Sequence, residues 1–249
     1  MSRIKCTISY DGSGFAGYQV QPGQRTVQAE LEKALASIHK SRPVKTAASG
    51  RTDAGVHAMG QVIHFDTDLS IPEEKWPAAL NSLLPDDISV LKAERAQPDF
   101  HARFSAKEKE YRYRIYFSDV RSPFKHHYAC MVRFPLDMEA MEEAAESVLG
   151  THDFTSFCSA KTEVEDKIRT LKEIEFLRKE GELVIRFTGD GFLYNMVRIL
   201  TGTLLEIGSG KRAPGEMRKI LEKRNRIFAG KTAPPQGLYL WKVSYGGTG

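Results

Sequence analysis

Ile4, Cys6, Ile8 and Tyr10 alternate with polar neighbours and stop at Asp11-Gly12, a pattern that predicts a β-strand. A loop rich in Gly and Gln follows, through Gln24. Thr26 is placed to cap a helix whose Val27, Leu31, Leu35 and Ile38 form one apolar stripe. Residues 44–48 read as a short strand, 49–57 as a polar loop and 62–65 as a second apolar run. Pro72 opens a helix carrying Trp76, Leu80 and Leu83, and Pro85-Asp86-Asp87 turns the chain into a strand over 88–91. The order so far is β-α-β-β-α-β.

The second half repeats that order. Tyr111, Tyr113, Ile115 and Phe117 alternate with Arg112, Arg114 and Tyr116, a period-two strand. Asp137 caps a helix with Met138, Met141, Ala145 and Val148, ended by Gly150. Residues 171–176 and 183–187 predict a hairpin across Glu180-Gly181, followed by helices over 192–207 and 214–223. Leu238, Leu240 and Val243 fall in a closing strand. The expectation is therefore an α+β fold of two ferredoxin-like β-α-β-β-α-β halves, one extra helix in the second. They would share a largely antiparallel sheet with a central cleft. The expected boundary puts residues 1–105 in one half and 106–249 in the other.

A length of 249 residues agrees with two small domains at roughly 150 residues per domain. Hydrophobic residues at 41% and charged ones at 27% exclude disordered, collagenous and coiled-coil classes. The longest apolar stretch, 191–208, is broken by Arg198 and Glu206, so no membrane span is expected. Met1 to Cys6 carry no apolar run of the kind a secretory signal needs. Cys6, Cys130 and Cys158 are far apart in sequence and odd in number, which predicts buried thiols in a reducing, cytoplasmic setting.

The net charge of +4 is unevenly spread. Residues 101–133 hold eight basic residues against three acidic ones, and 211–231 hold eight against two. Those stretches carry +5 and +6, and the rest of the chain −7. The first also interleaves Phe104, Tyr111, Tyr113, Tyr116, Phe117, Phe124 and Tyr128 with its cations. Aromatic rings among cations suit base stacking beside phosphate contacts, so RNA is the leading partner.

Among chemical motifs, absences come first. There is no G-x-G-x-x-G, and Gly208-Ser209-Gly210-Lys211 lacks two defining positions of a P-loop. There is no H-E-x-x-H, and the adjacent His126 and His127 would point apart on a strand. No serine sits in G-x-S-x-G. An activity without nucleotide cofactor or metal is expected. The densest polar cluster is Ser49-Gly50-Arg51-Thr52-Asp53-Ala54-Gly55-Val56-His57. One reading is a plain β-connection, with Asp53 forming an Asx-turn and Gly55 at positive φ. The other is a catalytic loop whose glycines admit a substrate to the backbone and whose Asp53 supplies a carboxylate.

That cluster resembles the signature loop of the TruA-type family of tRNA pseudouridine synthases. Other stretches resemble the family in the same order: Tyr10-Asp11-Gly12 with Gly17-Tyr18-Gln19-Val20-Gln21, then 99–106 followed by Tyr111-Arg112-Tyr113. Further on come 150–157, then 192–198, and last 233–240. Tyr18 stands where many relatives carry Trp, and Tyr194-Asn195 where others have different polar pairs.

The resemblance implies isomerisation of uridine to pseudouridine in the anticodon stem-loop of tRNA, at tRNA positions 38 to 40, by a homodimer without cofactor or metal. It implies Asp53 as the catalytic carboxylate, Arg198 as the cation that keeps it ionised, and Tyr111 as the ring over the uracil. Arg51, Leu238, His101 and Arg103 would bind substrate. The target nucleotide would have to be flipped out of its stack. The alternative is a non-catalytic RNA-binding protein with two RRM-like halves. It accounts for element order and charge, though not for the loop around Asp53.

Overall fold

The structure is a computed structural model that describes residues 1–162 and 164–246. In chain order the elements are β1 (Ser2–Tyr10), α1 (Val27–Ile38), β2 (Ala47–Ala48), β3 (His57–Thr67), α2 (Trp76–Asn81) and β4 (Ile88–Ala96). Then come β5 (Ala106–Phe117), β6 (Cys130–Val132), α3 (Met138–Glu146), β7 (Gly150–Asp153), β8 (Ile168–Lys179) and β9 (Glu182–Gly189). α4 (Met196–Gly208), α5 (Glu216–Lys223) and β10 (Leu238–Tyr245) complete the chain. The fold is α+β with mostly antiparallel strand pairing, as the pattern predicts. Two compact units emerge: residues 1–107 with the chain from Tyr239 onward, and 108–238. The expected division at 105 lies two residues before this boundary and differs in one further segment, because the last strand from Tyr239 belongs to the first unit.

In the first unit, β1 pairs antiparallel with both β3 and β4, and β2 pairs with β3, the 4-1-3-2 order of a ferredoxin-like half. β10 pairs in parallel with the start of β3, on the side that β2 covers farther along, with Tyr239 opposite His57. The register sets Ile4, Cys6 and Ile8 opposite Phe65, Ile63 and Gln61, so these share one face. That face meets the helices, as the edge contact of Phe65 on buried Trp76 shows, centroids 5.1 Å apart. The other face of β3 carries Val62, His64 and Asp66.

β2 is shorter than its pattern suggested. Glu32 of α1 accepts from Thr46 N at 3.1 Å and pairs with Lys45 at 2.9 Å, so these residues bond to a side chain instead of a ladder. β3 is much longer than the apolar run 62–65, because His57, Gln61 and His64 are buried within it. Each directs its polar atoms to a loop, as described below.

In the second unit, β5 pairs antiparallel with β9 and β9 with β8, with β7 and β6 outside them. The two short strands β6 and β7 are additions to the predicted order. His126 and His127 lie in a turn instead of a strand, where Ala129 N donates to Lys125 O at 2.9 Å, and their ring centroids are 3.7 Å apart. α4 starts four residues later than the apolar pattern, because Asn195 takes a left-handed conformation (φ 62°) ahead of it. Cys6, Cys130 and Cys158 are free and buried, as expected. Among the described residues, no helix is long and apolar enough to cross a membrane.

Candidate active site

The loop 49–57 is built into the first unit from several sides. Ser49 N donates to Val62 O at 2.8 Å, which ties the loop's start to β3. The Ser49 hydroxyl donates to Gln61 Oε1 at 2.6 Å, and Gln61 Nε2 donates to Gly50 O at 2.8 Å. One fully buried carboxamide thus clamps two successive loop residues. Thr52 is held at both its ends. Its hydroxyl lies 2.8 Å from Tyr10 OH of β1, and its carbonyl accepts from Tyr18 N at 3.0 Å. Burial pushes the Tyr10 phenol up to about 12, which keeps it protonated at neutral pH.

Asp53 follows directly, partly exposed, with its carbonyl accepting from Val56 N at 3.1 Å across a turn in which Gly55 adopts φ 75°. The positive φ at Gly55 is what the plain-turn reading expects. Gly17 passes close by at φ 110°. A Cβ there would stand 2.9 Å from Thr52 O and 3.3 Å from Ala54 N, so only glycine lets the N-terminal loop lie against the backbone around Asp53. At the loop's end the His57 ring stacks on Tyr239, centroids 4.6 Å apart, and its Nδ1 accepts from Gly12 N at 3.0 Å. Arg51 is exposed.

His101 and Arg103 sit on a separate loop of the same unit. His64 Nδ1 accepts from Ala102 N at 3.1 Å, and Tyr245 OH donates to Ala102 O at 2.7 Å. Burial, with Arg3 and His101 nearby, pushes His64 down to about 4, so its ring is neutral and free to accept. His101 is shifted down as well, first by burial and then by Arg3 and Arg103.

Tyr111, Arg198 and Leu238 belong to the second unit. Tyr111 is buried on β5 and meets Phe192 edge-on, centroids 5.0 Å apart. Arg198, partly buried on α4, donates from Nε to Ala233 O at 2.8 Å and from Nη1 to Asn195 Oδ1 at 2.9 Å. The main chain completes the link, since Ala233 N donates to Arg198 O at 3.0 Å. Arg198 is thereby joined to the start of the 233–240 motif. Tyr113, the neighbouring aromatic on β5, is a core residue whose hydroxyl donates to Pro234 O at 2.8 Å. Burial raises its phenol well above the usual range. Leu238 is buried at the start of β10.

The motifs name these candidate side chains and leave out two that hold their loops. Gln61 and His64 carry no motif of their own. Their signal is a polar group inside an otherwise apolar strand, which a buried fold must satisfy with hydrogen bonds. Among the described residues, no group of three or more His, Cys, Asp or Glu is arranged to hold a metal ion.

Comparison with known proteins gives this geometry its context. A family model described as tRNA pseudouridine synthase matches residues 7–105 and 144–246. The chain belongs to the tRNA pseudouridine synthase family. It is 60% identical over 244 residues to the tRNA pseudouridine synthase A of Bacillus licheniformis, covering 98% of this chain and 99% of that one. The Bacillus subtilis protein of the same name gives the same identity and coverage. That of Anoxybacillus flavithermus is 59% identical over 245 residues, again covering 98% and 99%. Tyr111 falls between the two stretches matched by the family model. The synthase is thus an isomerase of uridines in tRNA, and the non-catalytic binder is set aside.

Proposed function

We propose that this synthase converts uridines at tRNA positions 38 to 40, in the anticodon stem-loop, to pseudouridine, with Asp53 as its essential carboxylate. The observation that carries the role of Asp53 is the anchoring of its loop. Ser49, Gly50 and Thr52 are each fixed by hydrogen bonds from β1, β3 or the N-terminal loop, while Asp53 itself keeps partial access to solvent. A rigidly held carboxylate at an accessible loop is what a reaction on a bound nucleotide requires.

In the reaction the N1–C1′ bond of uridine breaks, the uracil turns over, and a C5–C1′ bond forms. N1 gains a proton and C5 loses one, so the product is an isomer and no redox partner or leaving group is consumed. Asp53 serves the cleavage of the glycosidic bond, Arg198 is the cation that keeps a carboxylate ionised, and Tyr111 stacks on the base. Arg51, His101, Arg103 and Leu238 bind the substrate. A uridine in a stem must be extruded to react, at roughly a few kcal/mol. The two basic stretches offset that cost through phosphate contacts. The enzyme acts in the cytoplasm as a homodimer, a reading supported by its resemblance to the family.

The test is tritium release to water from tRNA labelled at uracil C5, with the modified positions then mapped on the RNA. Wild type releases tritium, and Asp53→Ala releases none while still binding tRNA. Undiminished release from Asp53→Ala, or modification outside positions 38 to 40, overturns the corresponding part of the proposal.

A further inference from the structure

A run of rings leads across the first unit to an exposed end. Tyr245 lies 5.0 Å from Phe100, Phe100 5.9 Å from His64, and His64 4.8 Å from His101, centroid to centroid. His101 lies 4.4 Å from Phe104. The run ends at Phe104, which is 75% exposed, with the guanidinium of Arg103 seated loosely over its ring at 5.7 Å. No carboxylate pairs with Arg103 among the described residues.

The loop bearing these residues is already rigid. Ser105 N donates to His101 O at 2.9 Å, His101 N to Ser105 Oγ at 3.0 Å, and Arg103 N to His101 Nδ1 at 3.1 Å. Arg3 Nη1 donates to Phe100 O at 2.7 Å. An isolated exposed apolar side chain is ordinary. A phenyl ring fixed on a pinned loop, backed by an imidazole and next to a cation lacking an acidic partner, is a preorganised surface. Its shape is one planar ring and one charge, not a broad apolar patch. That suits a nucleobase with its adjoining phosphate better than a protein partner.

We infer that Phe104 is a stacking platform for a nucleobase of the RNA substrate, outside the residues assigned to the reacting uridine. The inference rests on tRNA being the substrate. An incoming base extends the run of rings by one, displaces the guanidinium from its loose seat, and leaves Arg103 to meet the neighbouring phosphate. His64 and His101, both shifted toward the neutral form, keep the platform uncharged at neutral pH.

The experiment measures binding of an unmodified tRNA transcript to the full-length protein at several salt concentrations. Phe104→Ala and Phe104→Leu each weaken binding roughly tenfold, and Phe104→Tyr stays within about twofold of wild type. The slope of log affinity against log salt is unchanged in Phe104→Ala and falls by about one in Arg103→Gln, because only the latter loses a phosphate contact. Wild-type affinity in Phe104→Ala, or a Leu variant as tight as the Tyr variant, overturns the inference. Tritium release by the wild type, run in parallel, separates that result from a failure of the synthase reading itself.

Discussion

Gln61 reads the loop of Asp53 from the far side. Its Oε1 receives the Ser49 hydroxyl at 2.6 Å while its Nε2 reaches Gly50 O at 2.8 Å. Replacement by Leu removes two bonds, one from a buried hydroxyl and one to a part-buried carbonyl, a loss of about 1–3 kcal/mol. Gln61→Leu should unfold at lower denaturant concentration and lose turnover with little change in KM. Denaturation and steady-state tritium release check this. Unaltered turnover would show that the clamp is dispensable for the loop.

Gly202 lies in the middle of α4, where a Cβ would collide with the carbonyl oxygen of Lys231 and stand 3.3 Å from Ala233 N. The segment there is fastened to α4 by Gly230 N on Thr203 Oγ1 at 2.9 Å and Lys231 N on Glu206 Oε1 at 3.0 Å. Gly202→Ala gains helix propensity and should nevertheless destabilise by about 1–3 kcal/mol through overpacking. It should also loosen the Arg198–Ala233 bonds and so depress activity. A thermal melt and an activity assay on the same preparation test both effects.

His64 gives stability a pH dependence of known sign. Its folded-state value of about 4 lies below the ordinary 6.5, so between those values the unfolded chain takes a proton that the native one refuses. Stability is therefore full above pH 6.5 and falls as pH drops toward 4, by about 3 kcal/mol at most. Urea unfolding at pH 7.5 and pH 5 should show a larger loss for wild type than for His64→Gln. Equal losses would contradict the assignment.

Asn81 covers part of β4, the end strand of its unit, by donating from Nδ2 to Val90 O at 3.0 Å and accepting from Val90 N at 2.7 Å. Exposed Leu91 follows on that strand. Asn81→Ala uncovers one donor and one acceptor of a strand edge, and such edges recruit other chains. Light scattering at rising concentration should show more self-association than wild type.

Alternation of apolar and polar residues was enough to locate β1 and β5, and the Thr26 and Asp137 caps were visible as N-terminal signals, each confirmed by a hydrogen bond to the third residue on. β3 was harder, because His57, Gln61 and His64 interrupt its apolar character. Their partners lie in distant loops, at Gly12, Ser49, Gly50 and Ala102, and no local pattern encodes those pairings. The start of α4 was misplaced for a related reason. Phe192 and Leu193 look helical by periodicity, while the left-handed turn at Asn195 is set by tertiary context. The motif residues of the candidate site are those that resemblance to a family points to. The hydrogen bonds that fix them were not legible, since a buried polar side chain announces a partner without naming it.

The return of β10 to the first unit also bears on synthesis. Tyr239 pairs with His57, and the Gly60 backbone lies close against that of Trp241, so β3 gains its last neighbour from the far end of the chain. A nascent polypeptide emerging N-terminus first therefore carries the His57 end of β3 with one side unpaired until nearly all of it has been made, although β2 already covers that side at Ile63 and His64. The loop of Asp53 feeds directly into that strand, so its support is finished only when translation is nearly over. Nonsense mutations that remove only β10 should consequently damage the first unit, although they fall at the opposite end of the reading frame.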